Sequence, residues 1–176
     1  MSKMPSERPI TSIADLLALA YQIEVDAVQR YMELTEQMET HNNQDLVRVF
    51  HDLARAEGIH AQEIRKMAGN IDLVAHAERL GRWNKGSSPE EADLGAAHYL
   101  MTPWHALQLA LTGEKQAVAF FTSILDSAND PKIREMAAEF VEEEVEHVNL
   151  VHRLLRKYPK PSDAWSQDDD PPAPQG

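Results

Sequence analysis

Cysteine is absent from the 176-residue sequence, which excludes disulfides, thiolate-bound zinc and thiol catalysis. A chain without disulfides is typical of a reducing compartment, and we therefore expect a cytoplasmic location. Glycine is also scarce, at 7 residues, and runs of valine, isoleucine and threonine are few. The chain is instead rich in alanine, leucine, glutamate, glutamine and methionine, which favour helices, so we predict an all-α fold.

Positive charge and long apolar segments are also lacking. Lysine and arginine number 17 against 29 aspartates and glutamates, which gives a formal net charge of −12. This balance argues against nucleic acid and anionic lipid as partners. No segment approaches the roughly 18 uncharged apolar residues that a membrane span requires, and the N-terminal MSKMPSERPITS lacks the apolar core of a signal peptide. We therefore expect neither a membrane nor a nucleic-acid partner.

Four blocks of helical periodicity are bounded by capping signals. Ser12 and Asp15 have the spacing of a capping box, while Thr102 and Asp130 each precede a proline suited to the first helical position. We predict helices from Thr11–Ser12 to about Glu39, from about Asn43 to Gly69–Asn70, from Thr102 to the SANDP segment at 127–131, and from Asp130 to Tyr158.

The connections between these blocks indicate how the helices are arranged. Short loops join the first block to the second and the third to the fourth, which predicts two antiparallel hairpins. About thirty residues separate the hairpins, so we expect a long crossover in which IDLVAHAERLGRWN, residues 71–84, is partly helical. This connectivity is that of a ferritin-like antiparallel four-helix bundle. We assign residues 11–158 to the bundle, 1–10 to a flexible N-terminus and 159–176 to a disordered, acidic, proline-rich tail.

Polar residues interrupt the apolar stripe of every helix near its middle. The second stripe, for example, runs from Leu46 to Met67 but contains a carboxylate and an imidazole where apolar residues are expected. The pattern repeats in the two halves of the chain, with 33 residues between the first two glutamates and 30 between the second two. The interrupting residues are Glu24, then Glu57 and His60, then Glu114, then Glu144 and His147.

Four glutamates in the middle of a bundle require compensating charge. A buried ionised carboxylate costs several kcal/mol, and like charges in contact force some of the group to take up protons. Two divalent cations would neutralise four carboxylates, and Glu-x-x-His spacing places both side chains on one helix face. Mixed carboxylate and imidazole donors suit iron or manganese. We predict that these six residues bind two iron ions, which manganese or zinc could replace, and leave open positions for a substrate.

The sequence resembles the rubrerythrin branch of the ferritin-like di-iron carboxylate proteins over about residues 10–158. LAYQIEVDAVQRY is similar to the first ligand helix of that family, with Glu24 and Tyr31 seven apart, and LTGEKQAVAFF is similar to the third. ARAEGIHAQEIRKM and EFVEEEVEHVNLVHRL are similar to its two Glu-x-x-His helices. The resemblance implies a di-iron oxidoreductase that reduces hydrogen peroxide or oxygen, with the same six residues as metal ligands and catalytic groups.

Three departures from that family matter for the chemistry. Without cysteine there is no rubredoxin domain, so electrons would come from an external donor, a rubredoxin-like protein or a flavoprotein. Ala117 occupies the position of a second glutamate on the third helix, which predicts a more symmetric site. Phe121 stands where the first helix has Tyr31, so only one half of the molecule offers that phenol.

Several assignments stay open at the level of sequence. Glu143 and Glu144 both have spacings that could face the site; the internal repeat favours Glu144 as the ligand and leaves Glu143 beside it or on the surface. Tyr31 could hydrogen-bond a ligand carboxylate or be part of the apolar core. A ferroxidase that handles iron, a di-iron hydroxylase and a metal-free structural bundle remain as alternatives to the peroxide-reducing enzyme. We expect a homodimer.

Overall fold

The computed structural model describes residues 9–81 and 101–162, and within these ranges the chain forms five helices and no strand. This confirms the all-α fold. The predicted flexible N-terminus and acidic tail lie almost wholly outside the described residues, so the division into three segments stays a prediction. The helices are α1 (Ile13–Thr40), α2 (Gln44–Ala68), α3 (Leu73–Leu80), α4 (Pro103–Ser127) and α5 (Pro131–Leu155).

The predicted helix starts are confirmed by their caps. The Ser12 hydroxyl accepts a hydrogen bond from the Asp15 backbone N–H, while the Asp15 carboxylate accepts one from the Ser12 N–H. Thr102 and Asp130 cap α4 and α5, each with proline in the first turn. The last helix ends at Leu155 instead of Tyr158, because the chain tightens into a turn in which the 157 and 158 amides both bond to the Leu154 carbonyl.

The two long hairpins, α1–α2 and α4–α5, enclose a core that is divided into two apolar clusters. One cluster surrounds Phe121 and Phe140 and will be called the Phe121 cluster; it also contains Leu16, Ile64 and Ile133. The other surrounds Tyr31 and Phe50 and will be called the Tyr31 cluster; it also includes Leu34, Met38, Leu46, Leu107 and Val151. Along each long helix, the predicted polar interruption falls between the residues of one cluster and those of the other. The carboxylates therefore form a polar layer inside an apolar core.

The crossover begins with α3, which packs against α1. Its Asp72 cap starts the helix, and its apolar face buries Leu73, Ala77 and Leu80. His76 reaches back to the start of α1, where its Nε2 lies 2.6 Å from Asp15 Oδ1. Burial alone would raise the pKa of Asp15, but the hydrogen bonds from His76, Thr11 and Ser12 lower it overall. The predicted partial helix in this segment is thus confirmed for 73–80, while residues 82–100 lie outside the described part.

Two further observations complete the fold. Met67, which the periodicity placed in the apolar stripe, is 54% exposed because the stripe drifts at the last turn of α2 and Ala68 takes the buried position.

Among the described residues, none of the helices has the length and apolar composition needed to cross a membrane.

Candidate metal centre

All six predicted ligands lie in the polar layer between the two apolar clusters. The four glutamates are buried, with Glu24 and Glu57 almost inaccessible, and each comes from a different long helix. The His60 and His147 side chains are 22% and 13% exposed. Side chains separated by up to 123 residues in sequence, from Glu24 to His147, thus meet at one level of the bundle.

Glu57 lies between the two histidines. Its Oε1 is 2.9 Å from His147 Nδ1, and its Oε2 is 3.4 Å from His60 Nδ1. The imidazole rings are nearly parallel, at an angle of 12° with centroids 5.8 Å apart. One carboxylate that offers one oxygen to each side of a histidine pair has the arrangement of a ligand that bridges two cations.

The polar atoms of this layer lack hydrogen-bond partners. Both carboxylate oxygens of Glu24, both of Glu57 and the Nδ1 atoms of His60 and His147 are buried without one. The short Glu57–His147 separation lacks the directionality of a hydrogen bond, so it does not satisfy these atoms. Buried polar groups in native proteins are almost always paired, because an unpaired group costs about 1–3 kcal/mol, and more if charged. Cations held by these atoms would remove that cost.

The donor atoms fall into groups of the size that a metal ion binds. Atoms of Glu57, Glu114, Glu144 and His147 all lie within 4.8 Å of one another. Glu24, His60 and Glu143 form a second such group, and Glu57 joins the two histidines in a third. The chain therefore presents two adjacent cation positions that share Glu57, and the mixture of oxygen and imidazole donors fits iron or manganese. The role of the six residues as iron ligands stays a prediction.

The electrostatics of the protein without cations show how strongly the layer resists four negative charges. Burial, together with the neighbouring Glu57, raises the pKa of Glu24 to about 11. Burial also raises the pKa of Glu144 to about 8, with Glu114 adding to the rise and the nearby His147 imidazole opposing it. For Glu57 burial acts in the same direction, but the close approach of the His147 and His60 imidazoles outweighs it and lowers the pKa to about 2. Protons must therefore leave this layer when cations bind.

Both histidines are driven toward the protonated form in the same cation-free state. Interaction with Glu57 raises the pKa of His60 against an opposing effect of burial. Burial also opposes protonation of His147, but Glu114, Glu144 and Glu57 together raise its pKa well above the usual range. Protons and metal ions therefore compete for the same nitrogen and oxygen atoms of this layer.

Tyr31 is hydrogen-bonded to the layer from the Tyr31 cluster. Its hydroxyl donates to Glu114 Oε1, so of the two alternatives that the sequence left open for Tyr31, the structure shows the hydrogen bond to a candidate ligand. Burial and the neighbouring Glu114 charge raise the pKa of Tyr31 further above its already high ordinary value. The phenol therefore keeps its proton and fixes the orientation of Glu114.

The structure places both Glu143 and Glu144 at the site, but on different sides of it. Glu144 is buried, and its Oε2 lies 3.7 Å from His147 Nδ1. The Glu143 side chain is 42% exposed, and its Oε2 lies 4.0 Å from His60 Nδ1. The spacing in the sequence relates Glu143 to His147, which lies on the same helix. It gives no indication that Glu143 approaches His60 on α2.

Sequence reasoning also missed a contact at the edge of the site between Arg30 and Gly113. The Arg30 guanidinium packs so closely over Gly113 that a Cβ at this position would overlap it. Gly113 is buried in the middle of α4, directly before Glu114. A mid-helix glycine is unfavourable by about 1 kcal/mol, which was the available signal that another group occupies the space.

Comparisons with known proteins agree with this geometry. The sequence model of the rubrerythrin family matches residues 15–97, a range that includes Glu24, Glu57 and His60. A solved structure of an uncharacterised conserved protein from Magnetospirillum magnetotacticum MS-1 is similar over 86% of this chain and 98% of that one, with a TM-score of 0.72 and 36% sequence identity. The chain belongs to the rubrerythrin-like branch of the ferritin-like superfamily. No curated protein matches it.

Membership in this branch identifies the bundle as ferritin-like and the polar layer as a candidate di-metal centre. The family match ends before α4, so it covers the ligands of the first hairpin only. The assignment of the second hairpin is supported by the similarity to the solved relative and by the geometry of Glu114, Glu144 and His147. These 176 residues contain no cysteine and so offer no thiolate ligands for an iron site of the rubredoxin kind.

Proposed function

We propose that the protein is a di-iron oxidoreductase that reduces hydrogen peroxide or oxygen with electrons from an external donor protein. The observation that carries the proposal is the group of buried, unpartnered donor atoms on Glu24, Glu57, His60 and His147. A purely structural polar layer would pair these atoms with each other, whereas a metal centre leaves them directed at cations. The donor would be a rubredoxin-like protein or a flavoprotein in the cytoplasm.

The residues of the layer would hold, orient and shield the reacting groups. Two bound ferrous ions would supply one electron each, which with two protons reduce one hydrogen peroxide to two water molecules. Glu57, with one oxygen near each histidine, would hold both cations. The two apolar clusters exclude bulk water from either side, so that the charges of the centre act at low dielectric.

Tyr31 supplies a fixed proton at the edge of the centre. Its hydroxyl is fully buried and donates to Glu114, so the proton lies between a phenol oxygen and a carboxylate oxygen. The phenol holds Glu114 in one rotamer, because a second position for that carboxylate would leave a buried hydroxyl unpaired. In this way Tyr31 would position a ligand without binding a cation itself.

We further propose that two copies of the chain associate through an apolar surface on α1 and α2. Val28 packs toward Gly58 at the contact between these helices. Val25 and Met32, three residues before and four after Val28, are exposed on the same side, as is Ile59 next to Gly58. Sedimentation of the wild type should give a dimer mass, and Met32→Glu together with Ile59→Glu should reduce it to a monomer. A dimer that survives both substitutions would place the interface elsewhere.

The decisive experiment is a comparison of oxidants. The protein is loaded anaerobically with ferrous iron and mixed in a stopped-flow instrument with hydrogen peroxide or with oxygen, at equal concentrations. We expect peroxide to oxidise the centre faster. If oxygen reacts as fast or faster, peroxide reduction is wrong and a ferroxidase role becomes the better assignment.

A further inference from the structure

The two cation positions differ in the donors that surround them. The position beside His147 has three buried carboxylates, from Glu57, Glu114 and Glu144. The position beside His60 has the buried Glu24 and the shared Glu57, and its own group is completed by Glu143. One position is thus enclosed, whereas the other depends on a carboxylate that is partly in solvent.

The Glu24–His60 position has unpartnered atoms directed at Glu143. Neither oxygen of the Glu24 carboxylate has a hydrogen-bond partner, although this side chain is 99% buried, and His60 Nδ1 lacks one too. Glu24 Oε2 and Glu143 Oε2 lie 3.9 and 4.0 Å from that nitrogen, too far for hydrogen bonds. These separations leave a cation room to contact all three residues, with metal–ligand distances of about 2 Å.

The solvent side of Glu143 is lined by further negative charge. Glu63, one turn after His60, and Glu139, one turn before Glu143, are both exposed. Such a surface raises the local concentration of cations next to the centre.

The internal repeat shows that Glu143 is an addition to the shared ligand pattern. Its counterpart in the first hairpin, directly before Glu57, is Ala56. The buried positions one turn after Glu24 and Glu114 are Ala27 and Ala117, which cannot act as ligands. Among residues 9–81 and 101–162, the His60 position alone therefore gains a carboxylate beyond the repeated set.

We propose that Glu143 is a ligand for the cation at the Glu24–His60 position, and that this position is where divalent cations enter and leave the centre. The inference rests on the proposed function, since it requires that the centre binds two cations. A half-exposed carboxylate can take a hydrated ion from the surface and exchange its water ligands for protein ligands one at a time. Cations then reach the enclosed position beside His147 by way of the Glu24–His60 position. The enclosed position therefore releases its ion more slowly than the Glu24–His60 position does.

The test uses the full-length protein freed of metal and titrated with cobalt(II) against a chelating indicator. We expect two binding steps of unequal affinity. Glu143→Gln should weaken the weaker step by about tenfold or more and leave the tighter one unchanged. It should also speed the loss of one ion to EDTA. Glu143→Asp, which keeps a carboxylate, should retain part of the affinity.

Glu142→Gln is the matched control, because it removes the same charge from the exposed neighbouring position. This variant should leave both steps unchanged, and helix content by circular dichroism should be equal in all four proteins. If Glu143→Gln changes neither step, or weakens both steps equally, Glu143 is not a ligand of the His60 position. If the wild type binds fewer than two ions, the proposed function fails as well. If two ions bind but peroxide is not reduced, only the proposed function fails.

Discussion

The two hairpins contribute the same set of candidate ligands, yet the side chains around those candidates differ. Each hairpin gives one glutamate from its first helix and a Glu-x-x-His pair from its second. Around them, Tyr31 in the first hairpin corresponds to Phe121 in the second, and Ala56 corresponds to Glu143. Repetition therefore provides two cation positions, while the substitutions around them make one position more open than the other.

This difference teaches which features belong to binding and which to reactivity. Charge balance alone needs only the repeated glutamates and histidines. The phenol is neutral and the additional carboxylate adds a fifth negative charge, so neither is needed to neutralise two divalent cations, but both would make the two cation positions chemically distinct. A two-electron reduction at unequal positions can bind substrate at one cation while the other stays enclosed.

The largest expected effect comes from breaking the shared ligand. Glu57→Ala should abolish most iron binding, because both histidine nitrogens lie within 3.4 Å of this carboxylate. His147→Ala should remove mainly the ion of the enclosed position. Iron per chain, measured after anaerobic loading and desalting, checks both, and helix content should survive since the apolar clusters are intact. Two irons retained by both variants would contradict the ligand assignment.

The second-largest expected effect is a pH dependence. As the pH rises, the stability of the metal-free protein and its affinity for metal should change in opposite directions. The pKa values of Glu24 and Glu144 are raised from 4.5 to about 11 and about 8. Stability from a raised carboxyl pKa is complete below the unfolded value and is lost as the pH rises through the folded one. Without metal, the free energy of unfolding should therefore fall by at least about 1 kcal/mol between pH 6 and 9.

Cation affinity should rise over the same interval, because binding displaces these protons. Urea denaturation in EDTA and cobalt(II) titration at matched pH values measure the two trends. Glu24→Gln and Glu144→Gln compare the hairpins directly. Around pH 8 the first substitution should remove more of the slope, because folded Glu24 still holds its whole proton there while folded Glu144 has lost about half of its own, and an unfolded glutamate holds none. Metal-free stability that does not fall over this interval would show that these carboxyl groups are already ionised without cations.

A smaller effect is expected from exchanging the phenol between the hairpins. Tyr31→Phe removes a buried hydrogen bond to Glu114 and should lower the free energy of unfolding by about 2 kcal/mol. Phe121→Tyr adds a hydroxyl at the corresponding position, where the unpartnered Glu24 carboxylate is the nearest counterpart by symmetry, so its cost should be lower. Urea denaturation of both variants measures the difference. A larger cost for Phe121→Tyr would mean that the internal symmetry does not extend to this position.

Much of the architecture could be predicted because it depends on local signals. Capping residues fix where helices begin, as Ser12 with Asp15 and Asp130 before Pro131 illustrate. The polar interruptions of the apolar stripes were visible because a buried glutamate violates the helical pattern. Loop length then determined the pairing of helices. Where the pattern weakens, at the last turn of α2, the assignment of Met67 to the core was wrong.

The features of the site that could not be predicted from the sequence depend on contacts between helices. The approach of Glu143 to His60 joins α5 to α2, and nothing in the spacing within either helix reveals which histidine an inward-facing glutamate will meet. The bond from Tyr31 to Glu114 similarly joins α1 to α4. Such partners follow from the rotation of each helix about its own axis, and the apolar stripes define that rotation only to within about one residue, or 100°.

The smallest expected effect concerns the edge of the site, where the hairpins meet in unlike ways. On one side Arg30 covers Gly113; the corresponding residues on the other are Phe120 and Ile23, which both belong to or pack against the Phe121 cluster. Gly113→Ala should change the free energy of unfolding by at most about 1 kcal/mol, because the gain in helix propensity offsets the displacement of a flexible guanidinium. Urea denaturation of this variant beside Arg30→Ala checks the explanation. If Gly113→Ala is strongly destabilising in the wild-type background but mild in the Arg30→Ala background, the guanidinium is held in place by the site and cannot move aside.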